Sequence, residues 1–422
     1  MAKKRKSLLS LLGPGFISGA SDDDPSTIAA FAQTGAQFGY GQLWVALLSF
    51  PCMALIQSLC GKIGIVTGQG LSGVLRRHFS KGLLYPIVCL TVTANTVNIG
   101  ADLGAMADSG RMLLKVPGSL WLLGLTSIIT LLAVFVPYRI YANLLRIFAL
   151  SLFSYIAAAC FVHPQWDLAL RSTFIPRISF DRSWVLNLVA LIGATLTPYA
   201  FFWQSDQEVE EEIQSNKIPD IGRGTPRVDP HEMVRMRTDT SIGMFFANLV
   251  MFFVMLVTAA TLGRHGMRSI ETAAQAARAL EPLAGRFAGV LFALGILGTG
   301  FLSVPVLAGS SSYALTECFD WKAGFHRNLQ RAPAFYGVIV LSTMIGVLIN
   351  YCPVPPFRML YYTAVLNGAL SPFLIVVVLL ISNDRSIMDA RSNSLWTNLF
   401  GWVIAAVATL SAVGLWLAGE SS

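Results

Sequence analysis

Apolar residues gather along the chain into eleven runs of membrane-spanning length, separated by short polar segments. The runs lie near 12–36, 42–66, 83–108, 117–138, 141–162, 183–205, 239–262, 285–312, 333–351, 358–382 and 395–418. A helix needs roughly 20 apolar residues to cross a bilayer, so the pattern predicts an all-α polytopic membrane protein of eleven spans. Two runs break the pattern in mid-span. The first holds Asp22-Asp23-Asp24-Pro25-Ser26, and the sixth holds Gly193-Ala194-Thr195-Leu196-Thr197-Pro198-Tyr199. A carboxylate at a helix centre costs about 2.5–3.5 kcal/mol on insertion scales. Three in succession are intelligible where the segment faces water, a cation or protein. Pro25 and Pro198 each remove a backbone donor and free a carbonyl.

Composition agrees with that pattern. Hydrophobic residues make up 54% of 422, charged residues 13%, and the mean hydropathy is +0.61. Soluble domains carry about 25% charge, so a soluble enzyme, a disordered chain and a nucleic-acid binder are excluded. The six cysteines show no metal or disulfide spacing. Cys52, Cys60, Cys89 and Cys160 read as packing residues, and Met244, Met251 and Met255 as core or lipid-facing positions. With the N-terminus inside, 20 of the 30 Lys and Arg fall in inside segments and 10 outside. That bias predicts a cytoplasmic N-terminus and, with eleven spans, an outer C-terminus. The start, MAKKRKSLLSLLGPGF, has a signal-peptide look but no small-residue cleavage pattern, so it reads as the first span. The longest polar insert, 206–238, opens with Glu208, Glu210, Glu211 and Glu212, expected to form a solvated helix end.

The breaks stand at the heads of two five-span blocks, 12–162 and 183–382, with 395–418 as an added helix. Interrupted spans at matching places in two halves point to a transporter site between inverted repeats. The site would offer Asp24, Thr27, Thr197, Tyr199 and freed carbonyls, with Asp22 and Asp23 beside them. Gln204, Asp102 and Asn367 are further polar groups within spans that could reach it. Asp102 could equally form a buried structural pair, and Asn367 a helix-to-helix hydrogen bond. All these donors are hard oxygens or amides, and no histidine lies inside a span. Such a set suits Mg, Ca or Mn better than Fe, Ni, Cu or Zn, and leaves room for waters on a magnesium ion.

GPGF near the start, DPS in the first break, GKIGIVTGQGL after the second span, the proline-broken sixth span and RTDTSIGM opening the seventh resemble the Nramp divalent-metal transporters. The resemblance covers Gly13 to Phe373. It implies a LeuT-like fold and import of Mn or Fe, usually with protons. The family's Asp-Pro-Gly-Asn reads here Asp24-Pro25-Ser26-Thr27, so the metal-binding aspartate is kept and the asparagine is replaced. Its Ala-x-x-Met-Pro-His reads Ala194-Thr195-Leu196-Thr197-Pro198-Tyr199. The alanine carbonyl remains, while the thioether and the histidine are gone. A second family histidine aligns with Gln204. Asp102 matches one acidic residue of the family's proton route, and Ala105 stands where another is expected. Losing the thioether weakens the preference for transition metals, and losing the histidines removes groups that titrate near neutral pH.

These departures resemble the Nramp-related magnesium transporters, a prokaryotic branch. The resemblance implies import of partly hydrated Mg2+, with Mn2+ also carried and without proton coupling, across the cytoplasmic membrane. A proton-coupled Mn/Fe transporter of the ordinary Nramp kind is the alternative, and a sodium-coupled symporter of small organic solutes a second. No nucleophile–base pair, GxSxG or HExxH is present, so the expected protein is not an enzyme. It needs no cofactor beyond the transported ion. Its partners are divalent ions and the lipid bilayer, with no nucleic acid. Oligomeric state leaves no trace in the sequence.

Overall fold

The computed structural model describes residues 14–136, 153–224, 226, 228–281 and 285–420. Its helices, in chain order, are α1 (Pro14–Asp22), α2 (Pro25–Phe38), α3 (Trp44–Thr67), α4 (Leu71–His78), α5 (Lys81–Leu113) and α6 (Gly118–Phe135). Then follow α7 (Phe153–Val162), α8 (Trp166–Phe174), α9 (Arg182–Thr195), α10 (Pro198–Gln214) and α11 (Pro230–Thr258). The last are α12 (Ala273–Ala277), α13 (Ala288–Cys318), α14 (Pro333–Ile349), α15 (Pro356–Asn383), α16 (Arg385–Met388) and α17 (Leu395–Glu420). Among the described residues, eight helical stretches are long and apolar enough to cross a membrane, and α14 is a shorter apolar helix. The expected fifth span, 141–162, lies outside the described residues up to its last ten, which form α7.

Both sequence breaks are helix boundaries. α1 stops at Asp22 and α2 starts at Pro25, with Asp24 extended (φ −72°, ψ 169°) between them. α9 stops at Thr195 and α10 starts at Pro198, with Thr197 extended (φ −73°, ψ 127°). Proline sits at the first helical position in both, where its missing N–H costs no bond within the helix it opens. The residue before it is pushed out of the helical region, which is what separates the halves.

α1 and α9 are held by close backbone approach. A methyl group at Gly19 would overlap the Gly243 backbone on α11, and one at Gly193 would overlap the Ala364 carbonyl oxygen on α15. Gly193→Ala therefore sets two effects against each other. Alanine favours a helix by about 0.5–1 kcal/mol, while overpacking a tight interface costs about 1–3 kcal/mol. The clash is with backbone rather than a movable side chain, so the variant should melt lower than wild type in detergent. An unchanged or higher melting temperature would disprove the close fit. α1 is pinned to α11 at its end as well. Asp239 Oδ2 accepts the Gly15 and Phe16 N–H groups at 2.8 and 3.2 Å, a carboxylate on the positive end of a helix.

The polar insert differs from expectation. α10 runs on to Gln214 and α11 begins at Pro230, so helix takes up both ends of 206–238. The expected solvated acidic front is mostly buried. Glu208, Glu210 and Glu212 are at most 5% exposed, and Asp206 is fully buried. At Asp206 and Glu210 the reason is that α4, the end of α13 and the loop after it fold over α10. Glu317 accepts the Gly70 and Gly73 N–H groups at the start of α4, both at 2.9 Å. Glu210 accepts Tyr313 Oη at 2.7 Å and pairs with His326 Nδ1 at 3.0 Å. Burial lowers the pKa of His326. Its hydrogen bond to Glu210 and the charges of Glu210 and Asp220 outweigh that and raise it.

Candidate metal centre

The two breaks face each other, and their freed groups are shared across them. Pro25 leaves the carbonyl of Ser21, four residues back, without its helical donor. Tyr199 Oη donates to that carbonyl at 2.9 Å. Pro198 likewise leaves the Ala194 carbonyl without one, and Ala194 lines a small void between the breaks. The Leu196 carbonyl is taken by Ser371 Oγ on α15 at 2.6 Å, and the same hydroxyl donates to the Asn367 carbonyl at 2.6 Å.

The three aspartates have three different surroundings. Asp22 Oδ1 accepts Thr197 Oγ1 at 2.6 Å, so the first half-helix is tied to the second break. Asp24 caps α2. Its Oδ1 accepts Ser26 Oγ at 2.6 Å and the Thr27 N–H at 2.7 Å, and its Oδ2 accepts Asn98 Nδ2 at 3.1 Å. Asp23 is 1% exposed and neither of its carboxylate oxygens has a partner. Thr27 Oγ1, beside it, is also buried and unpartnered. A buried carboxylate without a donor is costly, and a cation or waters are what would satisfy it. Asp23→Asn should accordingly raise the melting temperature in metal-free buffer and remove the stabilisation that added metal gives. A variant that melts lower without metal, or still responds to it, would exclude Asp23 from the centre.

Of the expected site residues, Asp22, Asp23, Thr27 and Ala194 line the void directly. Asp24, Thr197 and Tyr199 join it through the bonds above. Gln204 is one step away, with Oε1 accepting Ser18 Oγ at 2.5 Å and Nε2 donating to Glu208 Oε1 at 2.9 Å. Asp102 accepts Ser303 Oγ at 3.0 Å on its Oδ2, while its Oδ1 is unpartnered. Asn367 is buried in α15, next to the second break through Ser371. All ten expected residues are at most 2% exposed, so the centre is closed to water in this conformation. Among the described residues no three His, Cys, Asp or Glu side chains form a metal-holding group. The donors here are two or three carboxylates with hydroxyls and carbonyls.

Three residues near the centre, Asn98, Met53 and Asn248, escaped the sequence reading. Asn98 holds Asp24, and its polar neighbours Asn95 and Asp102 share one face of α5 at i, i+3, i+7 spacing. That spacing is the signal that could have found it. Met53, Met251 and Asn248 form the far wall of the void. Asn248 and Met251 are three apart on α11, and Ser49 Oγ donates to Asn248 Oδ1 at 2.5 Å. Met251 is a core residue, as expected, and within the core it also lines this void.

Two helices, each broken once at points that face each other, with buried carboxylates and freed carbonyls between the halves, define an all-α polytopic membrane protein with LeuT-like features. Residues 15–418 match the family described as Natural resistance-associated macrophage protein-like, Nramp, and the chain belongs to that family. It is a transporter family, not an enzyme family. A relative from Klebsiella pneumoniae strain 342, named divalent metal cation transporter MntH, is 27% identical over 412 residues, covering 96% of this chain and 92% of its own. The manganese transporter of Eremococcus coleocola, solved with an aromatic bis-isothiourea compound, superposes with TM-score 0.74 at 18% identity, covering 98% of this chain and 87% of that one. MhsT, solved with L-phenylalanine, gives TM-score 0.61 at 14% identity, covering 96% and 98%. At these identities the two solved structures speak to the fold alone.

Proposed function

We propose that this chain is a secondary transporter importing divalent metal cations by alternating access, chiefly partly hydrated Mg2+ with Mn2+ also carried, and without proton coupling. One observation carries the magnesium reading. At the second break Thr197 and Tyr199 hold the positions of a thioether and an imidazole, and both present hydroxyls to the first break. Asp24, Thr27, Thr197 and the Ala194 carbonyl contact the ion directly or through its waters. Asp22 and Asp23 supply neighbouring charge. Residues 12–162 and 183–382 form the two repeats, and 395–418 lies outside them. The chain sits in a bacterial inner membrane with its N-terminus in the cytoplasm.

The driving force suffices without protons. A divalent ion crossing about 100 mV gains about 4.6 kcal/mol, enough for an accumulation ratio on the order of 10³.

A second reading, a proton-coupled Mn/Fe transporter of the ordinary Nramp kind, has the stronger support from the comparisons. The relatives are named as MntH divalent metal cation transporters. Met53 and Met251 on the wall of the void favour it too, since thioethers suit transition metals. Proteoliposomes decide between the two, with Mg, Mn and Ca flux and internal pH followed together. Mg and Mn uptake at constant internal pH is the expected result. Metal-dependent acidification would overturn the uncoupled reading, and Mn flux without Mg flux the magnesium reading. No flux of either ion would overturn both.

A further inference from the structure

Away from the metal centre, α3, the start of α11 and the segment leading into α17 part around a cavity of about 690 Å³. Lys62, Arg237 and Arg391 all line it. No carboxylate stands among its described lining residues, and none of the three cations forms an ion pair with a described residue. Lys62 is 4% exposed. Its ammonium donates to Asn393 Oδ1 at 2.5 Å and to the Arg391 carbonyl at 3.2 Å, which leaves one of its three N–H donors unused. The Arg391 guanidinium donates to the Val228 carbonyl at 3.2 Å. A second hollow of about 440 Å³ shares Arg237 and Ser241 with the first and is lined by Phe50, Ile242 and Phe245. Ile242 and Phe245 are exposed, on the surface of a helix that spans the membrane.

We propose that the two hollows together form a binding site for an anionic phospholipid. The phosphate lies between Lys62, Arg237 and Arg391, and an acyl chain lies along Phe50, Ile242 and Phe245. Three cations gathered without a counter-ion repel one another, and a partly buried ammonium is the most costly of them. An anion relieves that cost. A transported metal cation does not, so the cavity is separate from the ion path. The join of a cationic pocket to an apolar groove at the membrane surface selects a lipid over a free anion. Basic pockets between membrane helices on the cytoplasmic side favour anionic headgroups in this way. A zwitterionic lipid brings its own positive amine and is disfavoured.

The test uses the full-length protein in detergent, mixed with equal amounts of dioleoyl phosphatidylglycerol and dioleoyl phosphatidylcholine, and reads retained lipid by native mass spectrometry. Phosphatidylglycerol should be retained preferentially. Arg237→Gln and Arg391→Gln should each lower that retention about fivefold, the effect of roughly one interfacial basic side chain. Arg385→Gln, an exposed arginine outside the pocket, should leave it unchanged. Equal retention of the two lipids would overturn the proposal. So would full retention in the two pocket variants, or an equal loss in Arg385→Gln. Displacement of the lipid by glycerol phosphate at matched concentration would show a free-anion site and overturn it also.

Discussion

Asp24→Asn is expected to cut divalent-metal flux at least about 100-fold in proteoliposomes while leaving the protein folded. Loss of groups that merely support a metal ligand costs about 10- to 100-fold, so loss of a charged ligand should reach the top of that range. The structure makes the substitution informative because Asp24 has two jobs. It caps α2, taking the Thr27 N–H and Ser26 Oγ on one oxygen, and it faces Asn98 with the other. Asparagine caps a helix about as well as aspartate, whereas alanine costs about 0.5–2 kcal/mol. If Asp24 were only a cap, Asp24→Asn would transport normally and Asp24→Ala alone would be impaired, through lower stability. If Asp24 serves the ion, both lose transport and only the alanine variant melts markedly lower. Radiotracer Mn uptake and thermal melting on the same preparations separate the outcomes. Normal uptake by Asp24→Asn would remove this residue from the centre.

Much of this geometry was legible in the chain. A proline acts on its own backbone wherever it stands in a helix, so Asp24-Pro25 and Thr197-Pro198 marked both breaks to within a residue. Freed carbonyls follow from the same local rule. Who takes them up does not, because Tyr199 reaches Ser21 across 178 positions of sequence. The acidic run at 208–212 shows the limit most clearly. Its composition suggests a solvated end, whereas Glu210 is taken up by Tyr313 and His326, partners more than 100 positions away that only tertiary packing supplies. Met251 is core, as its sequence suggests, but which groups it packs against is not legible there. A methionine in an apolar helix looks the same from sequence whether it faces lipid, apolar core or a void lined by Asp22 and Asp23. Only the placement of α11 against the first break decides. The polar face of α5, by contrast, was readable and unread: Asn95, Asn98 and Asp102 recur at helical spacing within an apolar run.

Thr197→Met should raise the Mn-over-Mg transport ratio about tenfold, equivalent to about 1.4 kcal/mol. The substitution places a thioether at the second break, where Thr197 now bonds Asp22 on the void that Met53 and Met251 also line. Two costs come with it. The Thr197 hydroxyl no longer donates to Asp22, which leaves a buried carboxylate oxygen unpaired at about 1–3 kcal/mol. Thr197 is also 1% exposed, so a longer side chain must displace its neighbours at about another 1–3 kcal/mol. Both lower the amount of folded protein and the absolute flux. Neither alters a ratio of two ions measured on the same vesicles. Thr197→Val supplies the control, since it removes the hydroxyl without adding sulfur. Its flux should fall for both ions at an unchanged ratio. Mn uptake competed by Mg gives the ratio directly. Equal ratios in the two variants would mean that residue 197 does not touch the cargo, and the magnesium reading would lose the observation that carries it. A rise confined to Thr197→Met would place the ion against the second break, where one side chain chooses between a hydrated hard ion and a softer one.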